Sequence, residues 1–278
     1  MDNNEFPEKL YHYCNISAFM SIIKNKCFWL SDTKYTNDKE EICAFKDAVW
    51  AALNELVCNK KINEEMANKI WITYVYNTLP GYISCFSEED DLLSQWRSYG
   101  DDGNGVAIGV DFNSLSIERG GPFRMCTNEK KCYGRQVLYI NELWKNEIKN
   151  IFKKILDGKK NIEEVSPDDL SGIFNLSYYT KNDGFKEEAE WRITYLPFLM
   201  FEKETMEVVD DLPAFKEIKF RSTRDKIISY FEFSFKPESV KEIILGPKNN
   251  FDVETLRMFL GANGFKGVNI KKSKIPYI

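Results

Sequence analysis

Histidine is nearly absent from this chain: His12 is the only one among 278 residues. A zinc site needs His, Cys or carboxylate ligands at a recognisable spacing, and no such spacing occurs, so no metal is expected. The seven cysteines, Cys14, Cys27, Cys43, Cys58, Cys85, Cys126 and Cys132, are odd in number and include no C-x-x-C pair. Neither a disulfide frame nor a zinc ribbon is indicated; in apolar surroundings such thiols pack as small core residues. No apolar run approaches the ~20 residues that span a bilayer, and the opening MDNNEFPEK is too polar and acidic for a secretory signal. A cytoplasmic protein without a membrane partner is expected. The phosphate loop G-x-x-x-x-G-K-[ST] and the fingerprint G-x-G-x-x-G are both missing. So is G-x-S-x-G, which sets aside the usual serine triad. There is no internal repeat, low-complexity tract or flexible linker.

What remains is the composition of an ordinary folded protein, 43% hydrophobic and 29% charged, with aromatics at 14% to fill a core or offer stacking surfaces. The net charge of −5 argues against a broad nucleic-acid surface. It leaves room for a local basic patch where Lys266, Lys271, Lys272 and Lys274 crowd together.

The stretch from Tyr82 to Asp111 organises the reading. Tyr82 to Ser87 alternates as a half-buried strand does, and Leu92, Leu93, Trp96 and Tyr99 recur at helical spacing, predicting a short helix over Asp90 to Tyr99. Gly100 is expected at its C-terminal cap with positive φ. Asp101 to Gly105 reads as a polar turn and Val106 to Asp111 as a buried strand. Ser87, Gln95, Trp96, Arg97 and Tyr99 would then gather at one end as a pocket wall.

Upstream, Leu10 to Cys14 predicts a first strand, followed by a helix capped by Ser17 and broken at Asn25-Lys26, then a strand from Cys27 to Ser31. Thr36-Asn37-Asp38 is turn chemistry. Helices are expected from Lys39 to about Asn59 and from Asn63 to Asn77, stopped by Pro80-Gly81. Downstream, a turn at Gly120-Gly121-Pro122 and a hairpin about Asn128 precede a helix from Glu142 to Leu156. Ser166-Pro167-Asp168-Asp169 starts another, carrying Leu170, Phe174, Leu176 and Tyr178 towards Asn182. The chain turns strand-like from Ala189. Four strands follow, Met206 to Val209, Ile218 to Arg221, Ile227 to Phe235 and Val240 to Leu245, then a helix capped by Asp252 and a last strand from Val268 to Lys271.

Two features carry chemistry. Strand alternation turns His12 away from Tyr11 and Tyr13, either as a half-buried imidazole bonded to backbone or as the floor of a pocket. Glu188 and Glu190 fall on one side of a strand beside Trp191 and Arg192. They are either a solvated acidic run or a carboxylate pair able to orient a ribose hydroxyl and stabilise an oxocarbenium-like transition state. In the second case Glu190, deeper in the apolar strand, is the catalytic group and Glu188 orients. Arg192 would keep Glu190 ionised or bind a phosphate.

Several pieces together resemble a bacterial family catalogued as domain of unknown function 2971. They are Leu10-Tyr11-His12-Tyr13, Trp29-Leu30-Ser31, Asn37 to Glu41, Cys85-Phe86-Ser87, Trp96 to Tyr99, Gly105 to Asp111, Glu188 to Arg192 and Ile243 to Gly246. They extend over most of the chain, with insertions near 55–80 and 140–180 outside them. The opening L-Y-H-Y, a helix and a W-L-S strand is in turn similar to the first motif of ADP-ribosyltransferases. There a first-strand histidine contacts the NAD ribose, a middle strand carries S-T-S or a variant, and a late strand carries a glutamate. Here the middle motif is C-F-S, and Tyr13, Trp96 and Tyr99 are all candidates to stack on nicotinamide.

That resemblance implies an α+β fold: one domain over 1–278 with an ADP-ribosyltransferase-like split β-sheet core of two packed sheets. Helical insertions fall at about 39–78 and 141–182. It implies Glu190 and Glu188 as catalytic, and His12, Tyr13, Ser31, Ser87, Trp96, Tyr99 and Arg192 as NAD contacts. NAD would be a substrate, its ADP-ribose passed to a nucleic acid or protein acceptor, in a toxin or anti-phage effector with an antitoxin or defence-system partner. The alternatives are an NAD glycohydrolase and a nucleotide- or nucleic-acid-binding sensor without chemistry.

Overall fold

Asn15 sits just ahead of the first helix in an extended conformation, and its side chain accepts a hydrogen bond from the Ala18 amide at 2.8 Å. Asn15, and not Ser17, is therefore the cap, because Ser17 already lies inside the first helical turn. This is a computed structural model, and it describes residues 6–35, 39–78, 81–120, 132–140, 142–157, 165–197, 199–201, 208–210, 217–223 and 225–277. The chain opens with β1 (Leu10–Cys14), α1 (Ile16–Asn25) and β2 (Cys27–Asp32), the reversal after α1 being made by Lys26 at φ 52°. Then come α2 (Lys39–Cys58), α3 (Glu64–Asn77), β3 (Tyr82–Ser87), α4 (Leu93–Ser98) and β4 (Val106–Val110). The middle of the chain adds β5 (Ile117–Arg119), β6 (Cys132–Gln136), β7 (Leu138–Ile140), α5 (Glu142–Asp157), α6 (Ser171–Ser177) and β8 (Thr180–Asn182). It closes with β9 (Glu190–Tyr195), β10 (Leu199–Phe201), β11 (Val208–Asp210), β12 (Lys219–Ser222), β13 (Ile227–Ser234), β14 (Val240–Leu245), α7 (Val253–Ala262) and β15 (Asn269–Lys272).

The fold is mixed α and β. Eleven strands join one sheet in the order β12-β13-β2-β3-β1-β4-β14-β15, with β9 on β3, β6 on β9 and β5 on β6. The expected pair of separate packed sheets is thus one continuous ladder, accompanied by the small pairs β10–β11 and β7–β8. Continuity passes through β3. One of its edges is paired with β9 along its whole length, from Tyr82↔Tyr195 to Ser87↔Glu190. The other edge is shared: β2 takes Tyr82 and Ile83, while β1 takes only Ser87. Between them the ladder forks at Ser84, Cys85 and Phe86.

The main core lies on the face that carries Leu10, Phe28, Phe86, Ile108, Ile193, Phe231 and Ile243, covered by Phe19 and Ile23 of α1 and by Leu256 and Leu260 of α7. A second core joins the two helical stretches. Phe45 and Leu53 of α2, Ile70 and Tyr74 of α3, Ile148 and Phe152 of α5, and Phe174 of α6 form one apolar cluster, with Tyr74 stacked on Phe174 at 5.5 Å. Tyr11, Tyr13, Trp96, Ala107 and Ile244 form a third. Among the described residues no helix is long and apolar enough to cross a membrane.

Three local expectations change. The stretch after Ser166 is a 3-10 turn (Pro167–Leu170) and a helix that stops at Ser177, after which Thr180–Asn182 pairs in parallel with Leu138–Ile140. That exit strand becomes part of the site. Gly100 has φ −89°, and the left-handed residues are Asp101, Asp102 and Gly103. Position 100 instead requires glycine for space, since a Cβ there would lie 2.7 Å from the Trp96 ring. Strand β9 begins at Glu190, because Ala189 is left-handed at φ 42° and ends the preceding turn. The turn at 36–38, the hairpin about Asn128 and residues 206–207 lie outside the described residues.

Candidate functional site

The fork leaves backbone groups of β3 without strand partners, and His12 answers one of them. Its Nδ1 lies 2.9 Å from the Cys85 carbonyl oxygen. A carbonyl only accepts, so a neutral ring carries its proton on Nδ1 and keeps a lone pair on Nε2. Burial pushes the His12 pKa below its ordinary value, the bond to Cys85 opposing in part, so the ring is neutral at pH 7. The imidazole packs edge-on against Phe28 at 5.2 Å and is tilted on Phe86 at 5.3 Å.

A cavity of about 160 Å³ occupies the fork, lined by His12, Ala18, Ser21, Ile22, Trp29, Ser31 and Arg221. Its lining combines α1 and His12 on the core face with Trp29 and Ser31 from the other face, because β1 and β2 have parted there. An apolar cavity of roughly 150 Å³ holds one six-membered ring, so this one accepts a ring or a ribose. A whole dinucleotide would have to continue outside it.

The carboxylates lie on the opposite face. Alternation sets Cys85 and Ser87 away from Phe86, and the register Cys85↔Arg192 and Ser87↔Glu190 places Arg192 and Glu190 beside them. Because β9 is across β3 from β1, the group stands about 10 Å from β1 at ordinary strand spacing. Lys181, delivered by β8, donates to Glu188 Oε2 at 2.7 Å and Glu190 Oε2 at 2.9 Å. Arg192 donates from Nε to Glu190 Oε1 at 2.6 Å and from Nη1 to the Tyr178 carbonyl at 2.9 Å. All four charged residues are at most 6% exposed, so their mutual pairing is what makes their burial tolerable.

The two acids are tuned apart. Burial would raise the Glu190 pKa, but Arg192 and Lys181 outweigh it and hold the group at about 2, fully ionised. At Glu188 burial prevails over Lys181, and the neighbouring Glu190 charge adds to it, so its pKa is raised. Burial and then Glu190 push the Cys85 thiol well up, and burial raises Tyr99, whose charged neighbours are Lys181, Glu188 and Glu190. Tyr139 supplies a hydroxyl that accepts from the Glu190 amide at 2.8 Å. The left-handed Ala189, a conformation costing about 1 kcal/mol for a residue with a Cβ, is what brings both carboxylates onto one lysine.

The residues expected at the site divide three ways. His12 and Ser31 line the cavity, and Glu188, Glu190, Arg192 and Tyr99 form the charged group. The rest hold the frame. Ser87 donates to the Glu188 carbonyl at 2.6 Å and accepts from the Glu89 amide at 3.0 Å, pinning the carboxylate turn. Tyr13 donates to the Glu89 carbonyl, accepts from the Leu92 amide and packs edge-on against Trp96 at 4.7 Å. Trp96 is fully buried and donates to Asp91 at 2.7 Å, so of the three candidate aromatics Tyr99 is the one at the charged group. Lys181, Tyr139 and Arg221 were not singled out from sequence, and Cys85 and Trp29 only as parts of the C-F-S and W-L-S pieces. The only signal at Lys181 was a lysine directly after the strand-forming run Tyr178-Tyr179-Thr180.

Neither a curated protein nor a solved structure matches the chain. A family model does, over residues 95–193. The match is narrower than the resemblance read from sequence. It includes Trp96 to Tyr99, Gly105 to Asp111 and Glu188 to Arg192, runs through 140–180, and leaves the His12 strand outside. Residues 95–193 are similar to the family described as protein of unknown function, DUF2971.

Proposed function

We propose that the chain is an ADP-ribosyltransferase, which cleaves the nicotinamide–ribose bond of NAD and passes ADP-ribose to a macromolecule. The observation that carries this reading is the forked sheet: a ring-sized cavity over His12 and Ser31 lies at one edge of β3, and an ionised glutamate stands across that strand on its other face. The His12 Nε2 lone pair accepts a hydrogen bond from a ribose hydroxyl. As the C–N bond breaks, its electron pair leaves with nicotinamide and positive charge builds on the ribose carbon. The Glu190 carboxylate, already charged and fixed, stabilises that carbon without reorganising. An acceptor oxygen or nitrogen then bonds to the carbon and loses its proton, with Glu188 orienting the acceptor. A cytoplasmic toxin or anti-phage effector, held by an antitoxin or defence partner, follows from the resemblance of the opening strands.

A second reading, a nucleotide-binding sensor without chemistry, is favoured by one observation: both carboxylates are already bonded to Lys181. Transfer requires that lysine to release at least Glu190 Oε2 when NAD is bound. Incubation with NAD labelled in the adenylate half separates the readings. Label on a macromolecule supports transfer and free ADP-ribose supports hydrolysis. Saturable binding without turnover replaces the transferase by the sensor.

A further inference from the structure

Arg221 has no role in the chemistry above, yet it lines the fork cavity. It stands on the edge strand β12, with its guanidinium 5.3 Å from the centre of the Trp29 ring. Its Nη2 donates to Ser31 Oγ at 3.3 Å, a long bond, while its Nε is buried with no hydrogen-bond partner. Among the described residues no carboxylate pairs with it; neighbouring Lys219 is paired with Glu232 at 2.7 Å. Burial lowers the Arg221 pKa, an arginine nevertheless remaining charged at neutral pH. A half-buried cation with an unsatisfied donor is costly unless something fills that position.

The geometry of the group says what would fill it. Nε and Nη2 form one edge of the planar guanidinium, and such an edge meets two oxygens of a phosphate or carboxylate at once. Here that edge lies beside the Ser31 hydroxyl, a third donor, at a cavity that already accepts a ring or ribose. The Trp29 face holds the guanidinium in place by a cation–π contact.

We infer that Arg221, with Ser31 and Trp29, is the anion-reading element of the fork cavity, taking the phosphate of a nucleotide whose ribose or base enters the fork. This rests on the nucleotide reading above and adds its specificity: phosphorylated nucleosides are selected over unphosphorylated ones.

Calorimetric titration of the full chain with nicotinamide mononucleotide, nicotinamide riboside and inorganic pyrophosphate tests it. The mononucleotide should bind about tenfold to a hundredfold tighter than the riboside, the worth of a charge-assisted hydrogen bond. Arg221→Gln should remove that difference, weakening the mononucleotide far more than the riboside. Arg221→Lys, keeping the charge without the two-donor edge, should recover only part of it. Equal affinities in the parent chain would overturn the inference and leave the nucleotide reading standing. If neither nicotinamide compound binds, the nucleotide reading falls and pyrophosphate decides: saturable binding lost in Arg221→Gln upholds an anion site, and no binding overturns it.

Discussion

His12 Nδ1 and the Cys85 carbonyl oxygen, 2.9 Å apart, close the edge of β3 where β1 and β2 separate. The same bond fixes which ring nitrogen keeps its lone pair, so strand pairing and ligand chemistry depend on one proton.

A pH dependence follows. The unfolded chain protonates its histidine near 6.5, whereas the buried His12 does so only at lower pH. In that window the unfolded state binds more protons, so stability falls as pH drops below about 6.5, and above it His12 contributes no slope. Urea denaturation between pH 7.5 and 5.5 should show this decline in the parent and a flatter profile in His12→Asn, whose amide can still donate to Cys85. Superimposable slopes would mean that His12 is not held neutral.

Lys181 is the common partner of Glu188 and Glu190. Lys181→Met leaves two buried carboxylates with Arg192 alone, and losing one partner of a buried ion pair costs about 3–5 kcal/mol. The deficit at pH 7 should shrink on acidification, because Glu188, with its raised pKa, takes up a proton readily in the fold. The double variant Lys181→Met, Glu188→Gln should recover part of it. A loss below about 1 kcal/mol at pH 7, the scale of an exposed pair, would remove the network from the stability account.

Glu190→Gln preserves shape and removes charge. Loss of one fixed electrostatic group lowers kcat by about 10²–10³, so single-turnover assays should show at least a hundredfold slowing with NAD affinity retained. Glu188→Gln should slow the reaction less. Full activity in Glu190→Gln with loss only in Glu188→Gln would exchange the two roles, and no effect in either would leave the sensor.

Two glycines give a stability contrast. An added Cβ at Gly105 would overlap the Cys14 carbonyl oxygen and stand 2.9 Å from the Gly100 carbonyl oxygen, both backbone atoms that cannot step aside. Gly105→Ala should cost 3 kcal/mol or so, the upper end of overpacking. Gly261, inside α7, has nothing within 4 Å of such an atom. Gly261→Ala should stabilise by about 0.5–1 kcal/mol through helix propensity. Thermal melts of the two variants should therefore move in opposite directions.

Local order in this protein is written in its periodicity. The alternation of Tyr82 to Ser87, the short strand-forming runs Leu10 to Cys14 and Val240 to Leu245, and the apolar stripe of Phe45, Val49 and Leu53 needed no partner to be read. Each reflects a repeat of 2 or 3.6 residues that short-range geometry imposes. The turn after Ser177 is not legible in sequence, since Leu170, Phe174, Leu176 and Tyr178 run on with no breaker before Asn182, and only the pairing of Thr180–Asn182 with Leu138–Ile140 pulls the chain out of the helix. Strand partners are chosen by distant contacts, so the fork of β3 left no trace in sequence. Nor did the meeting of Lys181 with Glu188 and Glu190, or the placing of Arg221 over Trp29, 192 positions apart in number. His12 and Glu190 were legible as polar residues inside apolar strands, where an unpaired polar group is costly. What they touch was decided by which backbone edge stayed open and which cation the helical insertions carried to it.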